Sequence, residues 1–236
     1  MAILVDRNTR VITQGITGEA GALSNRDLVR IWDDAITGAG LSLARSEGRR
    51  ASPQVALAAP LPLGMTSDCE IADVYLSEPA GPDRVLASLR PLLPRGMEAV
   101  AVNEVGVDTR SLQSQLRWAE YEVTLSSGTA GVNDLRNAVA RLLAEDSLPS
   151  EYQRANRVKT YDLRPLILAI HVEGTDAVPI LRMRLRAEPE RTARADQVVL
   201  ALGLPAPVST RRSRLELDEV PLVTRAHRRA SHLDGE

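Results

Sequence analysis

No phenylalanine occurs in this sequence, and aromatic residues of any kind make up only 3% of it. Its core must therefore come from Leu, Val, Ile and Ala, and the aromatic platform on which RNA-recognition sheets stack bases is not expected. Lys159 is the only lysine, so 28 of the 29 basic residues are arginine, the side chain suited to planar, bidentate recognition of phosphate and carboxylate. Cys69 is the single cysteine. That excludes an intramolecular disulfide framework, an iron–sulfur cluster held by this chain alone, and a CxxC zinc site. No apolar run reaches the roughly 20 residues that a membrane span needs. Met1 leads into a strand-like segment containing Asp6, not into a signal peptide, so a cytoplasmic protein without a membrane partner is expected. The formal net charge of -2 rules out a global basic field, and any nucleic-acid surface must be local.

Within these bounds the pattern alternates short strands with helices, and does so twice. Val11–Gln14 reads as a strand. Ser24 and Asp27 form a capping-box pair ahead of the apolar stripe Leu28, Ile31, Trp32, Ala35 and Ile36. An apolar run follows (Val55–Gly64), then the strand EIADVYLSEP, a helix opened by Pro82 and Asp83, and a strand at Glu98–Asn103. The second round runs from the alternating strand Ala119–Leu125 to a helix at Asn133–Glu145 and a strand at Thr160–Val172. A hairpin turn at Gly174 and Asp176 leads to a strand at Pro179–Ala187, a helix at Asp196–Leu202 and a strand at Val208–Leu217. Two copies of βαββαβ predict an α+β protein of two tandem ferredoxin-like domains. They occupy residues 1–104 and 119–220, joined by a connector at 105–118 and followed by a polar tail at 221–236.

The stretch RVITQGITGEAG carries Gly15, Thr17, Gly18 and Gly21 between a strand and a helix. It resembles the start of the succinyl-CoA ligase α subunit, where such a turn binds coenzyme A. Two readings stand here: a phosphate loop for coenzyme A or a nucleotide, or a glycine-rich turn. The strands after residue 70 alternate as half-exposed antiparallel strands do, whereas a Rossmann sheet has near-continuous apolar strands.

Three longer stretches carry a second resemblance: ALSNRDLVRIWDDAITGAGL (Ala22–Leu41), SEGRRASPQVALAAPLPLG (Ser46–Gly64) and RVKTYDLRPLI (Arg157–Ile167). They are similar to a bacterial domain of unknown function linked to radical-SAM proteins. Ser24, Asp27, Gly48, Pro53, Asp162 and Pro165 fit its pattern, as do Pro60, Pro62, Gly64 and Arg164. Asn25 stands where that family usually has His, and Arg49, Arg50 and Ala51 where it has Phe-Asn-Pro. The resemblance implies an RNA-related accessory role beside a separately encoded radical-SAM enzyme.

The arginines supply candidate contacts for RNA. Strand alternation puts Arg182, Arg184 and Arg186 on one face, with Leu181, Met183 and Leu185 on the other. Arg212 and Arg214 are expected on that same arginine face, next to Glu120 and Glu122. A phosphate-binding surface and a solvated salt-bridge ladder are both open readings of it. Arg45, Arg49 and Arg50, with Arg157, Lys159 and Arg164 from the second half, form a basic cleft if the two loops face each other. The tail adds Arg225, Arg228 and Arg229. His171 lies in a strand and Cys69 has no partner His near it in sequence, so no Ser/His/Asp or metal-ligand spacing emerges. A non-catalytic RNA-binding or adaptor protein without a cofactor is the expectation, with a binder of coenzyme A or a nucleotide as the alternative. The oligomeric state is left open.

Overall fold

The computed structural model describes residues 8–14, 24–47, 51–106, 109–154 and 157–218. The chain is α+β, as its alternating pattern implies. In the N-terminal half the elements are β1 (Asn8–Gln14), α1 (Asn25–Gly38), β2 (Val55–Leu57), β3 (Thr66–Ser67), β4 (Glu70–Tyr75), α2 (Pro82–Leu89) and β5 (Glu98–Val105). After α3 (Leu112–Gln115) come β6 (Leu116–Thr124), α4 (Val132–Ala144), β7 (Pro149–Arg154), β8 (Arg157–Asp162), β9 (Ile167–Thr175), β10 (Val178–Glu188), β11 (Arg191–Thr192), α5 (Ala195–Ala201) and β12 (Ser209–Leu217).

Local chemistry explains the main elements. Ser24 and Asp27 close the expected capping box: the Asp27 amide donates to Ser24 Oγ (3.3 Å) and the Ser24 amide to Asp27 Oδ2 (3.1 Å). These bonds with Ser24 hold the Asp27 carboxyl below its ordinary pKa. Leu28, Trp32, Ala35 and Ile36 then bury the helix stripe. α4 begins after Gly131, which offers no side chain, and its first amide is met from a distance: Val132 N–H donates to Asp176 Oδ1 at 2.7 Å. Asp176 sits in the β9–β10 hairpin. There Gly174 has φ +82°, and an added Cβ would lie 2.2 Å from the Val178 carbonyl oxygen, so the turn requires glycine.

The first sheet is antiparallel in the order β2-β4-β1-β5. The second runs β11-β10-β6-β12-β3, with β9 also paired to β10. The short strand β3, from the N-terminal half, joins the second sheet parallel to β12, with Thr66 opposite Arg211 and Ser67 opposite Arg212. One hydrophobic core runs from Trp32 and Val74 through Leu112 and Leu116 to Leu181, Met183 and Val198.

Three expectations change. The strand expected at Thr160–Val172 is broken by a 3-10 turn at Arg164–Leu166 into β8 and β9, because Pro165 removes a ladder donor and Asp162 Oδ1 accepts the Leu148 and Arg164 amides (2.8 and 3.0 Å). β8 then pairs with β7, a hairpin that the sequence pattern does not reveal. β12 carries a bulge between Arg212 and Arg214, which reverses the expected facing of Arg212.

Candidate functional site

Two polar regions lie on opposite sides of the second sheet. On its open face, Arg182 and Arg184 stand directly across from Glu122 and Glu120. Arg184 donates to Glu120 (2.7 Å) and Arg182 to Glu173 and Glu122 (3.1 and 3.3 Å). Arg186 donates to Glu188 (2.7 Å). Because of the bulge, Arg211 joins this face in place of Arg212. It bonds Asp68 (2.6 Å) and Glu122 (3.0 Å), and Arg214 bonds Glu216 (2.9 Å). The Trp118 ring carries the Arg184 and Arg214 guanidiniums at 4.4 and 5.1 Å from its centre. Every arginine of this face therefore meets a carboxylate, and a phosphate would have to displace one.

Arg212 points the other way and is 2% exposed. Its Nη1 donates to Glu70 Oε1 (2.8 Å) and the Ala59 carbonyl (3.2 Å), and its Nη2 to the Pro60 carbonyl (3.2 Å). The Tyr121 ring lies 5.6 Å away. Burial works against the charge, but Glu70 and Tyr121 outweigh it and hold the guanidinium above its ordinary pKa. Its Nε–H has no acceptor among the described residues, an omission that typically costs about 1–3 kcal/mol. The turn Asp68-Cys69-Glu70 thus reaches both sides of the sheet edge, Asp68 to Arg211 and Glu70 to Arg212. Between them burial raises the Cys69 thiol to about 11, which makes it a packing group and not a nucleophile.

Arg212 and Tyr121 also line a cavity of about 640 Å³ at the junction of the two halves. Its other walls are the Pro60–Leu63 run, Met65, Leu116, Gln113 and the Thr192–Ala195 turn. A second cavity of about 500 Å³ adjoins it, bounded by Thr160–Asp162, Pro165 and Glu190–Arg191. Pro189, Thr192 and Arg194 line both, so the two form one groove with an apolar floor. Arg194, on the shared wall, is exposed and held by Asp196 at 2.8 Å, and Arg191, also exposed, lines the second cavity alone.

The residues singled out in the sequence divide as follows. Ser24, Pro60 and Pro62 line the first cavity, and Asp162 and Pro165 the second. Asp27 is a cap. Arg45 bonds both oxygens of Asp33 (2.8 and 3.0 Å), and its backbone bridges to Pro53. Arg164 donates to the Leu143 carbonyl (3.1 and 2.8 Å) at the end of α4, so Arg45 and Arg164 have separate structural partners. Arg157 and Lys159 lie on β8, whose backbone runs into the groove wall at Thr160. His171 is exposed on β9 opposite Arg182. Gly15, Thr17, Gly18, Gly21, Gly48, Arg49, Arg50 and the tail arginines lie outside the described residues. The sequence pattern missed Arg191, Arg194, Tyr121, Gln113 and Trp118, and it placed Arg212 on the open face. Alternation alone places Tyr121 opposite Glu120 and Glu122, but nothing local announces the bulge that brings Arg212 beside it. Among the described residues, no three His, Cys, Asp or Glu side chains cluster as metal ligands do, and no helix is long and apolar enough to cross a membrane.

Comparison with known proteins follows this geometry. Among solved structures, the chain is similar to one chain of a Cbf5–Nop10–Gar1 complex, at 12% identity and a TM-score of 0.47 over 87% of this chain and 48% of that one. It is also similar to a chain of the archaeal box H/ACA sRNP Nop10–Cbf5 complex (10%, 0.44, 86% and 47%). A chain of an H/ACA RNP bound to a substrate RNA containing 2′-deoxyuridine gives similar values (10%, 0.44, 90% and 48%). The chain spans about half the length of each of these. No curated protein matches it. Residues 14–195 match a family described as an uncharacterized protein conserved in bacteria (DUF2344), and the chain belongs to that family.

Proposed function

We propose that this chain is a non-catalytic RNA-binding protein, an adaptor that holds RNA in the groove between its two halves for a separately encoded radical-SAM enzyme. The observation that carries the RNA reading is the groove: two adjoining, largely apolar cavities, with Arg194 on the wall they share and Arg191 lining the second. A single-stranded RNA presents flat apolar base faces on a chain of phosphates, and its binders combine apolar slots with a cationic track. Arg157 and Lys159 lie on β8, whose backbone leads to the groove wall at Thr160. The open sheet face is the poorer candidate because, among the described residues, all of its arginines are paired with carboxylates and it has no apolar cavity, whereas in the groove Arg194 bonds Asp196 but Arg191 meets no carboxylate. An adaptor role fits the polar groups around the groove, which are occupied in holding structure: Asp162 caps a turn, Arg164 closes α4, and Glu70 neutralises Arg212. The radical-SAM partner rests on the sequence resemblance alone.

The test is an anisotropy titration with a labelled single-stranded RNA. Affinity is expected to fall steeply between about 50 and 200 mM salt as phosphate contacts release counterions. Arg191→Glu with Arg194→Glu is expected to weaken binding about tenfold or more, while Arg184→Glu with Arg214→Glu changes it far less. Binding that ignores salt, or a loss that follows the sheet-face pair instead, overturns the groove reading.

A further inference from the structure

The outer strand of a β-sheet can pair with another chain unless something blocks it. In the first sheet β2 has only three residues, and the register of β5 against β1 shifts between Ile12 and Thr13, a bulge that bends that edge. In the second sheet β3 covers part of β12. β9 has no such protection. It pairs with β10 in regular register from Ala169 to Thr175, and no strand lies on its other side among the described residues. The ladder parity shows which main-chain groups are free. Leu125 N–H donates to the Pro179 carbonyl (2.9 Å), so Pro179, Leu181 and Met183 turn their main-chain groups to β6. Ile180, Arg182 and Arg184 therefore face β9 and engage Glu173, His171 and Ala169. The N–H and C=O of Val172, between them, point outward without a partner among the described residues.

We infer that the β9 edge pairs with the β9 edge of a second copy of this chain, antiparallel about a twofold axis at Val172. A twofold contact must be self-complementary, and His171-Val172-Glu173 is. At that register Val172 exchanges both main-chain hydrogen bonds with its own copy, and His171 of each chain stands opposite Glu173 of the other. This is a non-hydrogen-bonded ladder pair, the kind whose side chains come closest. Both side chains are exposed, and both share the open face with Arg182. Glu173 accepts from Arg182 at 3.1 and 3.2 Å and keeps lone pairs for an imidazole N–H. Ile170 then meets Gly174, which brings no side chain. An axis at Ile170 would instead set His171 against Ala169 and lose the match. Five ladder positions a side bury less than the roughly 1,200 Å² at which stable interfaces begin, so the dimer is expected to dissociate on dilution.

Sedimentation equilibrium of the full chain, from about micromolar to about millimolar concentration, tests this without RNA and independently of the groove reading. The mass is expected to rise from one chain toward two. Val172→Pro removes the outward N–H and leaves the ladder to β10 intact, and it is expected to weaken association about tenfold or more. His171→Glu and Glu173→Arg each destroy the match across the axis and are expected to weaken association likewise. An equimolar mixture of these two variants is expected to recover a heterodimer, because a carboxylate then faces a guanidinium. Melting curves establish which variants are folded, and either Val172→Pro or the mixed pair suffices. A mass that stays at one chain throughout overturns the inference, as does a dimer that none of these substitutions weakens. Association lost in the two charge variants and not recovered in their mixture overturns the pairing at Val172.

Discussion

Arg184 and Arg212 flank the same strand, β6, from β10 and β12, and they differ in almost every other respect. The Arg184 side chain is 45% exposed and pairs with the residue directly across the ladder, Glu120. Arg212 is 2% exposed and pairs with Glu70, a residue of the other sheet that reaches it through the turn after β3. The first belongs to a row of balanced pairs in water. The second ties the two halves together and supplies one wall of the groove. Where a charge is placed, more than that a charge is present, decides whether it decorates a surface or organises a site.

The sharpest way to break this contrast is to remove each arginine in turn. Arg212→Met leaves the Glu70 carboxylate buried without its cation, and a loss of about 3–5 kcal/mol in urea denaturation is expected. Adding Glu70→Leu is expected to return much of that loss, since a buried ion pair replaced whole by apolar groups is often close to neutral. If Arg212→Met costs no more than a surface substitution, the junction does not depend on this pair.

Cys69, between Asp68 and Glu70, reports on the buried side with a smaller effect. An unfolded thiol ionises near 9.0, whereas burial raises this one to about 11. Between those values the folded chain keeps a proton that the unfolded chain has lost. The thiol's contribution is therefore constant below 9, and stability falls as pH rises from 9 to 11. Denaturation across that window, in parallel with Cys69→Ala, is expected to show a fall in the native chain that the variant lacks. Matching pH profiles would mean that the turn opens to water and the junction is looser than drawn.

The same contrast explains how far the sequence is legible. Ser24 with Asp27, the stripe from Leu28 to Ile36, and the alternation of Leu181, Met183 and Leu185 with arginines are local signals, and each matches the structure. The balanced ladder is one of the two readings that alternation leaves open. The groove is built from non-local facts: a bulge that turns Arg212 inward, a two-residue strand that crosses to the second sheet, and the meeting of the Pro60–Leu63 run with the turn at Thr192–Ala195. No period announces these. The D-x-R-P stretch shows an intermediate case. It is visible as a motif, yet its Asp162 and Arg164 act as caps on a turn and on α4, roles that only the fold assigns.

The smallest effects belong to the open face, and they test its independence. A double-mutant cycle on Arg184 and Glu120 is expected to give a coupling of about 0.2–1 kcal/mol that fades with added salt, because both charges are hydrated in the unfolded and folded chains alike. Trp118→Leu is expected to remove about 0.5–1 kcal/mol more from the Arg184 side, since the ring holds that guanidinium at 4.4 Å. Salt screens the ion pair far more than the ring contact, so the Trp118 component should persist when the Glu120 component has gone. A cycle that stays above about 2 kcal/mol in high salt would mean that the ladder is desolvated, as a covered surface is. The face would then be an interface, and the division between a decorative side and an organising side of this sheet would fall.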